Sequence, residues 1–356
     1  MTKIGYLPYS NDFSEPGDRR RFIWFANEVK LDYELLDFNQ EYDVIYAVCG
    51  TNHTRLLNYL SRNPKTQLIF EIVDAHLHEK NIFKFLFRGL LRFFLKKEDC
   101  LFIRYNLLLK KVIMLSSAVV CSTTNQRNLL VNYNSNVHIS LDFMYEEYPR
   151  IYKDIKTSNS ILNIFWEGKI FSVHHLNLLN KLSSKFKKRI HFHIVTDLEK
   201  TLIPFIYILK ANKILRRFKF NFTLYKWSIY NVLNISNHCD IGVIPLYFSD
   251  KKAINKPENK LLLMWRLGLP VITTKTAAYK HAMIKGDLKY FCSSIKEWES
   301  FLNYFINIEC NNKTIEFNKF QNILNNSYSK DEYLLSWYNI FKSIGYNIND
   351  FLNLTP

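Results

Sequence analysis

The sequence predicts an α/β protein made of two doubly wound domains that face each other across a central cleft. Short apolar runs rich in β-branched and aromatic residues alternate with longer stretches of helical periodicity, the order typical of a parallel sheet covered by helices. This alternation stops in a polar stretch, residues 146–160, and starts again at residue 161. The 356-residue chain is also too long for one ordinary hydrophobic core.

The first domain is predicted to span residues 1–145 and to contain six strands. Its run YDVIYAV, residues 42–48, is nearly apolar throughout, as expected of a strand buried on both faces. The candidate strands are residues 3–8, 33–38, 42–50, 67–74, 118–123 and 137–142, and the candidate helices are residues 19–29, 52–62, 81–97, 102–115 and 124–132.

The second domain is predicted to span residues 161–330, with residues 146–160 as the linker. One helix is expected between each pair of successive strands, and a last helical pattern covers residues 331–346. The candidate strands are residues 161–168, 189–197, 220–227, 239–246 and 269–274.

Composition and missing motifs narrow the function. Lys and Arg outnumber Asp and Glu by 48 to 32, so the chain should favour phosphorylated ligands, acidic membranes or polyanions. The six cysteines form no C-x-x-C pair, which favours a reducing compartment without a zinc site or disulfides. The sequence has no G-x-G-x-x-G, Walker, G-x-S-x-G or H-E-x-x-H motif, so the usual dinucleotide, nucleoside-triphosphate, hydrolase and metalloprotease sites have no support.

Residues 239–279 contain the most distinctive pattern. A buried strand ends at Pro245, and a helix is predicted to begin near Pro257 and to end at Gly268, positions that suit these two residue types. The helix start is flanked by Lys256 and Lys260. Free N–H groups and two lysines at a helix N-terminus suit a diphosphate, although lysines that merely solvate a loop would give the same pattern.

The run KPENKLLLMWRLGLPVI, preceded by the strand CDIGVIPL, resembles the donor-binding segment of bacterial GT-B glycosyltransferases similar to family 4. The first strand of the second domain also ends in Gly168 and Lys169, where that group has Gly-Arg or Gly-Lys. The resemblance covers the whole chain in the order of elements, and it is specific only over residues 239–279. It implies the GT-B fold, with a final helix, residues 331–356, that packs back on the first domain.

The resemblance also implies roles for individual residues. Cationic groups would neutralise the leaving diphosphate, so neither a metal nor another cofactor is expected. The implied donor-binding residues are Gly168, Lys169, Lys256, Glu258, Asn259 and Lys260.

The chain departs from the family pattern at three positions. Asn255 and Leu263 replace glutamates, which makes Glu258 a substitute for ribose recognition, and Val73 replaces a histidine. His76 or His78 could take the place of that histidine. Asp74, predicted at a strand end, and His76 are the candidate catalytic residues, with a structural role as the alternative.

Residues 81–97, NIFKFLFRGLLRFFLKK, carry one basic residue on each helical turn. Lys84, Arg88, Arg92 and Lys96 could face anionic lipid headgroups, or they could be the wet face of an ordinary packed helix.

These observations together predict a cytoplasmic, peripheral-membrane glycosyltransferase. It would move a sugar from a nucleotide-activated donor to a lipid-linked glycan in surface-polysaccharide assembly, with retention inferred from the resemblance alone. The alternatives are a sugar-nucleotide epimerase of the same fold, a basic nucleic-acid-binding protein, and a degenerate, non-catalytic subunit, which Leu263 and Val73 leave open. No nucleic-acid partner is expected, because no recognition helix, RNA-binding motif or zinc pattern appears.

Overall fold

A computed structural model describes most of the chain and divides it into two units, residues 1–143 with 330–356, and residues 144–329. The candidate residues Asp74, His76, His78, Lys84 and Arg88 lie outside the described part. The described residues are 2–13, 15–73, 77, 89–101, 104–144, 147–151, 161–203, 207–308 and 310–346.

The first unit is built on a parallel six-stranded sheet in the order β2-β1-β3-β4-β5-β6. The chain adds β2 on one side of β1 and the later strands on the other, so the direction of winding reverses between β1 and β3. The elements are β1 Ile4–Leu7, α1 Pro16–Arg19, α2 Phe22–Glu28, β2 Glu34–Leu35, β3 Val44–Val48, α3 His53–Arg62, β4 Gln67–Ile72, α4 Tyr105–Leu115, β5 Ala118–Cys121, α5 Thr124–Leu130 and β6 Val137–Ile139.

Helices cover this sheet because its strands are apolar on both faces, and all five residues of β3 are buried. The last helix of the chain, Lys330–Ser343, belongs to this unit. Its Trp337 is fully buried and stacks on Phe25 of α2, with ring centroids 5.1 Å apart.

The second unit contains a second parallel six-stranded sheet, in the order β11-β8-β7-β12-β13-β14. Winding reverses here between β7 and β12. The elements are β7 Leu162–Glu167, a 3-10 helix Ile170–Leu182, α6 Ser183–Phe186, β8 Ile190–Thr196, β9 Glu199–Ile203, β10 Tyr207–Lys210, α7 Ala211–Leu215, β11 Asn221–Lys226, α8 Ile229–Asn237, β12 Ile241–Ile244, α9 Lys251–Ile254, α10 Asn259–Arg266, β13 Val271–Thr274, α11 Ala277–Ile284, β14 Phe291–Cys292, α12 Ile295–Asn307 and α13 Cys310–Asn326.

The structure corrects three sequence-based expectations. The segment after β8 forms the antiparallel hairpin β9–β10 before the short helix α7, whereas one helix was expected there. Its β-branched and aromatic residues and a central proline favour extended chain over helix. The strand expected at residues 33–38 pairs only over Glu34–Leu35, and the helix expected at residues 19–29 is two helices that meet at Arg20 and Arg21.

Candidate functional site

The predicted donor-binding residues lie at the point where the winding of the second sheet reverses. In open α/β sheets ligands bind beyond the carboxyl ends of the strands at such a reversal. Gly168 directly follows β7, and Pro245 directly follows β12, the neighbouring strand. Helix α10 begins at Asn259 and is followed by Gly268, whose φ of +72° suits glycine.

Lys260 and Gly168, both predicted from the sequence, are brought together. A Cβ atom at residue 168 would lie 2.7 Å from Lys260 Nζ, so a larger residue there would displace the ammonium group from this position. The same ammonium lies 4.4 Å from the ring centroid of Trp166 in β7. A cation over an aromatic face is stabilised by the ring quadrupole, so Trp166 holds the lysine in place.

Burial lowers the pKa of Lys260 to about 8, against the partial compensation of the Glu167 carboxylate and with a further contribution from Lys256. Within the described residues this ammonium has no hydrogen-bonded or ion-paired partner. A partly buried cation without a counter-ion is costly, and it would gain from an anionic ligand.

The other predicted donor-binding residues are placed differently. Lys169, which follows Gly168, and Lys256, which lies shortly before α10, are both exposed. Asn259 Oδ1 is buried without a hydrogen-bond partner among the described residues. Glu258 is only 7% exposed and accepts a 3.2 Å hydrogen bond from the Tyr328 hydroxyl, and burial raises the pKa of its carboxyl group.

A histidine pair beside the lysines was missed by the sequence reasoning. His174 and His175 lie in the 3-10 helix after β7, and their rings are 4.1 Å apart. His175 Nε2 is 3.5 Å from Asp250 Oδ2, and the Tyr247 amide donates to His175 Nδ1 at 3.2 Å. Burial, with the charges of His174, Lys260 and Lys256, lowers the pKa of His175 to about 4 against the opposing effect of Asp250, so the ring is neutral at pH 7.

His174, His175 and Asp250 offer ligand atoms within 4.8 Å of one another, a spacing that could suit a metal ion. The hydrogen bonds argue against that use of His175. Because its Nδ1 accepts from Tyr247, the neutral ring carries its proton on Nε2, the atom that faces Asp250. Asp250 also accepts from the Ala253 amide at 2.9 Å and thereby caps α9. His175 and Asp250 together therefore hold the loop that leads to Lys256 and Lys260.

In the first unit, Arg92 has buried polar contacts. Its guanidinium donates to Glu98 at 2.9 and 3.1 Å and to the backbone carbonyls of Gly50 and Thr51. The Arg92 side chain is 11% exposed, whereas Lys96 is exposed. Arg92 thus fastens residues 89–98 to the turn after β3.

Apolar side chains are exposed beside Arg92. Residues 89–94 are helical, and Phe94 and Leu95 are 75% and 57% exposed. The Arg92 guanidinium lies 5.1 Å from the Tyr105 ring at the start of α4, and the exposed face of α4 adds further apolar groups. We call the exposed large apolar residues of these two segments the apolar surface: Leu90, Leu91, Phe93, Phe94, Leu95, Leu107, Met114 and Leu115. None of the helices in the described part of the chain is long and apolar enough to cross a membrane.

Comparison with known proteins shows the fold. No protein-family model and no curated protein sequence matches the chain. Among solved structures, a glycosyltransferase from Rickettsia africae aligns with a TM-score of 0.57 at 12% identity, over 96% of this chain and 98% of that one. WaaG, a glycosyltransferase involved in lipopolysaccharide biosynthesis, aligns with a TM-score of 0.50 at 14% identity, over 97% of this chain and all of that one. The chain has the GT-B fold.

TarM is a further structural match to this GT-B chain, with a TM-score of 0.54 at 13% identity. The match covers 84% of this chain, which spans only about half, 54%, of TarM. Another structure holds Staphylococcus aureus TarM with fondaparinux, α-GlcNAc-glycerol and UDP. At these identities the comparisons establish the GT-B fold, as the sequence predicted, and family 4 membership stays a prediction.

Proposed function

We propose that this GT-B protein is a glycosyltransferase that moves a sugar from a nucleotide-activated donor to a glycan acceptor. One observation carries the proposal: the Lys260 ammonium lies beside Gly168, at the reversal point of the second sheet, and has no counter-ion among the residues that the structure describes. A nucleoside diphosphate is an anion of the size and charge that such a site would bind.

The chemistry of sugar transfer agrees with this site. When the glycosidic bond of the donor breaks, negative charge grows on the departing diphosphate. Lys260 would neutralise that negative charge. Lys169 and Lys256, which are exposed, would supply further positive charge. The N–H groups at the start of α10 would contribute in the same direction. Because these groups supply positive charge, we propose that transfer needs no metal ion.

The proposal extends to retention of anomeric configuration and to a lipid-linked acceptor in surface-polysaccharide assembly. The sequence resemblance supports the first. The second is supported by the fold shared with WaaG, which is described as involved in lipopolysaccharide biosynthesis.

We also propose that the protein binds peripherally to the cytoplasmic face of an anionic membrane through the apolar surface. Arg104 and Lys111 are exposed at the start of and within α4, and Lys96 and Lys97, also exposed, directly follow Leu95 in the other segment. Basic residues beside exposed aromatic and aliphatic groups are the chemistry that recognises anionic lipid headgroups over an acyl layer.

The donor site is tested by thermal unfolding with UDP, GDP, CMP, ADP and dTDP. One nucleotide should stabilise the wild-type protein by about 2.7 kcal/mol at a hundredfold excess over its Kd. Lys260→Ala should lose the stabilisation, while Lys280→Ala, at an exposed position in the same unit, should keep it. No stabilisation by any nucleotide, or equal stabilisation of Lys260→Ala, would refute the site. Binding of duplex DNA alone would favour the nucleic-acid alternative.

With the identified nucleotide, matching sugar donors are then tested for transfer in the presence of EDTA, and the anomeric configuration of the product is read by NMR. Conversion of the donor to an epimer without transfer would support the epimerase alternative. Loss of transfer in EDTA would contradict metal independence.

Membrane binding is tested by cosedimentation with vesicles of phosphatidylglycerol and phosphatidylcholine. Phe94→Ser should lower the bound fraction, whereas Phe171→Ser, which removes a 50% exposed phenylalanine from the second unit, should not. Equal binding by the two variants would refute the proposed surface.

A further inference from the structure

Tyr9 lies at the point where the winding of the first sheet reverses. It follows β1 by two residues, and β1 pairs with β3, which is followed by Gly50. This is the counterpart in the first unit of the position that Lys260 and Gly168 occupy in the second. Ligands of parallel α/β sheets bind at such a position, and the residue is 38% exposed there.

Two glycines make room for the Tyr9 ring. A Cβ atom at residue 50 would lie 3.1 Å from Tyr9 Cε1, and one at residue 17 would lie 3.1 Å from Tyr9 Cε2. Gly50 has a φ of +118°, which other residues rarely adopt. The absence of side chains at both glycines therefore leaves space for the two edges of the ring.

A buried carboxylate fixes the backbone that carries Tyr9. Asp18 is fully buried and accepts hydrogen bonds from the Tyr9 amide at 2.9 Å, the Ser10 amide at 3.2 Å and the Tyr6 hydroxyl at 2.6 Å. Burial raises the pKa of Asp18 against the effect of these hydrogen bonds. Asp18 therefore fixes the backbone of Tyr9 and Ser10 relative to β1.

The backbone on the other side of the ring is held just as firmly. The Gly50 carbonyl accepts a 3.1 Å hydrogen bond from Arg92, and the Gly50 amide donates to His53 Nε2 at 3.5 Å. His53 Nδ1 is 2.9 Å from Glu98, which also binds Arg92. Two separate buried networks thus preorganise the surroundings of one exposed aromatic ring, as supporting groups do in binding sites.

The charge near Tyr9 indicates which ligand would suit it. Asp12 and Glu15 are exposed in the loop that carries Tyr9. Arg19, which follows this loop, donates to the Phe13 carbonyl at 3.2 Å. The loop therefore carries both signs of charge, in a chain with a net charge of +16. Asp12 is exposed and accepts a 2.6 Å hydrogen bond from the Ser10 hydroxyl. Exposed carboxylate and hydroxyl groups beside an aromatic ring suit a neutral polyhydroxylated ligand.

We propose that Tyr9 is the platform on which the apolar face of a neutral pyranose ring of the acceptor rests. The identification of this sugar as the acceptor rests on the proposed transferase function. Binding of a sugar at Tyr9 can be measured independently of that function. Asp12 and Ser10 would hydrogen-bond the sugar hydroxyls, and Asp18 acts as a positioning residue for the loop.

The test is saturation-transfer NMR on the full chain, with the methyl glycosides of glucose, galactose, mannose and N-acetylglucosamine as probes. At least one glycoside should bind the wild-type protein and Tyr9→Phe, with saturation strongest at its ring C–H protons. Tyr9→Leu, which still fills the space between the glycines, should bind about tenfold more weakly, equivalent to about 1.4 kcal/mol. Tyr304→Leu is the matched control, since Tyr304 is also 38% exposed.

Unchanged glycoside binding by Tyr9→Leu would overturn the proposal, as would a wild-type protein that binds a nucleotide but none of the glycosides. Loss of nucleotide stabilisation in Tyr9→Leu would also overturn it, because the ring would then serve a nucleobase. Glycoside binding that depends on Tyr9, in a protein stabilised by no nucleotide, would support the platform while refuting the proposed donor site.

Discussion

Replacing Lys260 by methionine should make the protein more stable at neutral pH while abolishing nucleotide binding. Methionine has a similar length, fills the space beside Trp166 and carries no charge to desolvate. The wild-type ammonium has no counter-ion among the described residues, so its burial opposes folding. A gain in stability from loss of a binding residue is the expected trade-off at such a site.

The pKa of Lys260 sets the magnitude. Its value of about 8 in the folded protein, against 10.5 as the ordinary value, corresponds to a cost of about 3 kcal/mol at pH 7. Solvent screening of the partly buried group and loss of the contact with Trp166 reduce the expected gain to about 2 kcal/mol. The folded state binds this proton less tightly than the unfolded state does. Wild-type stability therefore rises as the pH rises from about 8 towards 10.5, and the gain should shrink to about 1 kcal/mol or less near pH 9.5.

Urea unfolding of both proteins at about pH 7 and pH 9.5 gives the two differences in unfolding free energy. Lys280→Met, at an exposed position, is the control and should differ from wild type by less than about 0.5 kcal/mol at both values. A Lys260→Met protein that is less stable at pH 7, or whose gain stays constant with pH, would show that the ammonium is not a desolvated, unpaired group.

Further predictions concern the site around Lys260 and the buried contacts of Arg92. Nucleotide affinity should fall about tenfold between pH 7 and pH 9, because Lys260 loses its proton over that range, and calorimetric titration at the two values would measure it. Gly168→Ala should weaken nucleotide binding at least about tenfold, since its Cβ would lie 2.7 Å from Lys260 Nζ, and unchanged affinity would contradict the close approach. Arg92→Met should destabilise the protein by about 3 kcal/mol because it leaves Glu98 buried without its charged partner, whereas exposed Lys96→Met should change unfolding free energy by less than about 0.5 kcal/mol.

Most strands and the bounds of α10 could be predicted because local patterns encode them, whereas the short strand β14 was not predicted. Apolar runs such as YDVIYAV bury both faces of a strand wherever they are placed in a parallel sheet. Gly268 ends α10 through its own backbone freedom, with φ at +72°. The pairing of Gly168 with Lys260 was also accessible, since both positions belong to recognisable motifs at strand and helix ends.

Other features could not be read from the sequence, for a different reason. The basic residues of the segment 81–97 have a helical spacing, but spacing alone cannot tell a lipid-headgroup contact from a buried ion pair, so the headgroup contact stays a prediction. Arg92 points inward because it donates to Glu98 and to the backbone carbonyls of Gly50 and Thr51. Those two carbonyls are more than forty residues away in the sequence. The hairpin β9–β10 was missed because a short apolar run fits either a strand or a helix.

The sequence by itself determined that this is a two-part, doubly wound α/β chain with a lysine-bearing helix start after a strand that ends in proline. Those features depend on residues that are close together along the chain. Only the tertiary structure decided that Lys260 has no counter-ion in the described part of the chain, that His175 faces Asp250, and that Tyr9 lies between Gly17 and Gly50. Most of these residues are far apart in the sequence and become neighbours only when the strands and helices pack. Which side chains are buried and which groups they contact depends on that packing.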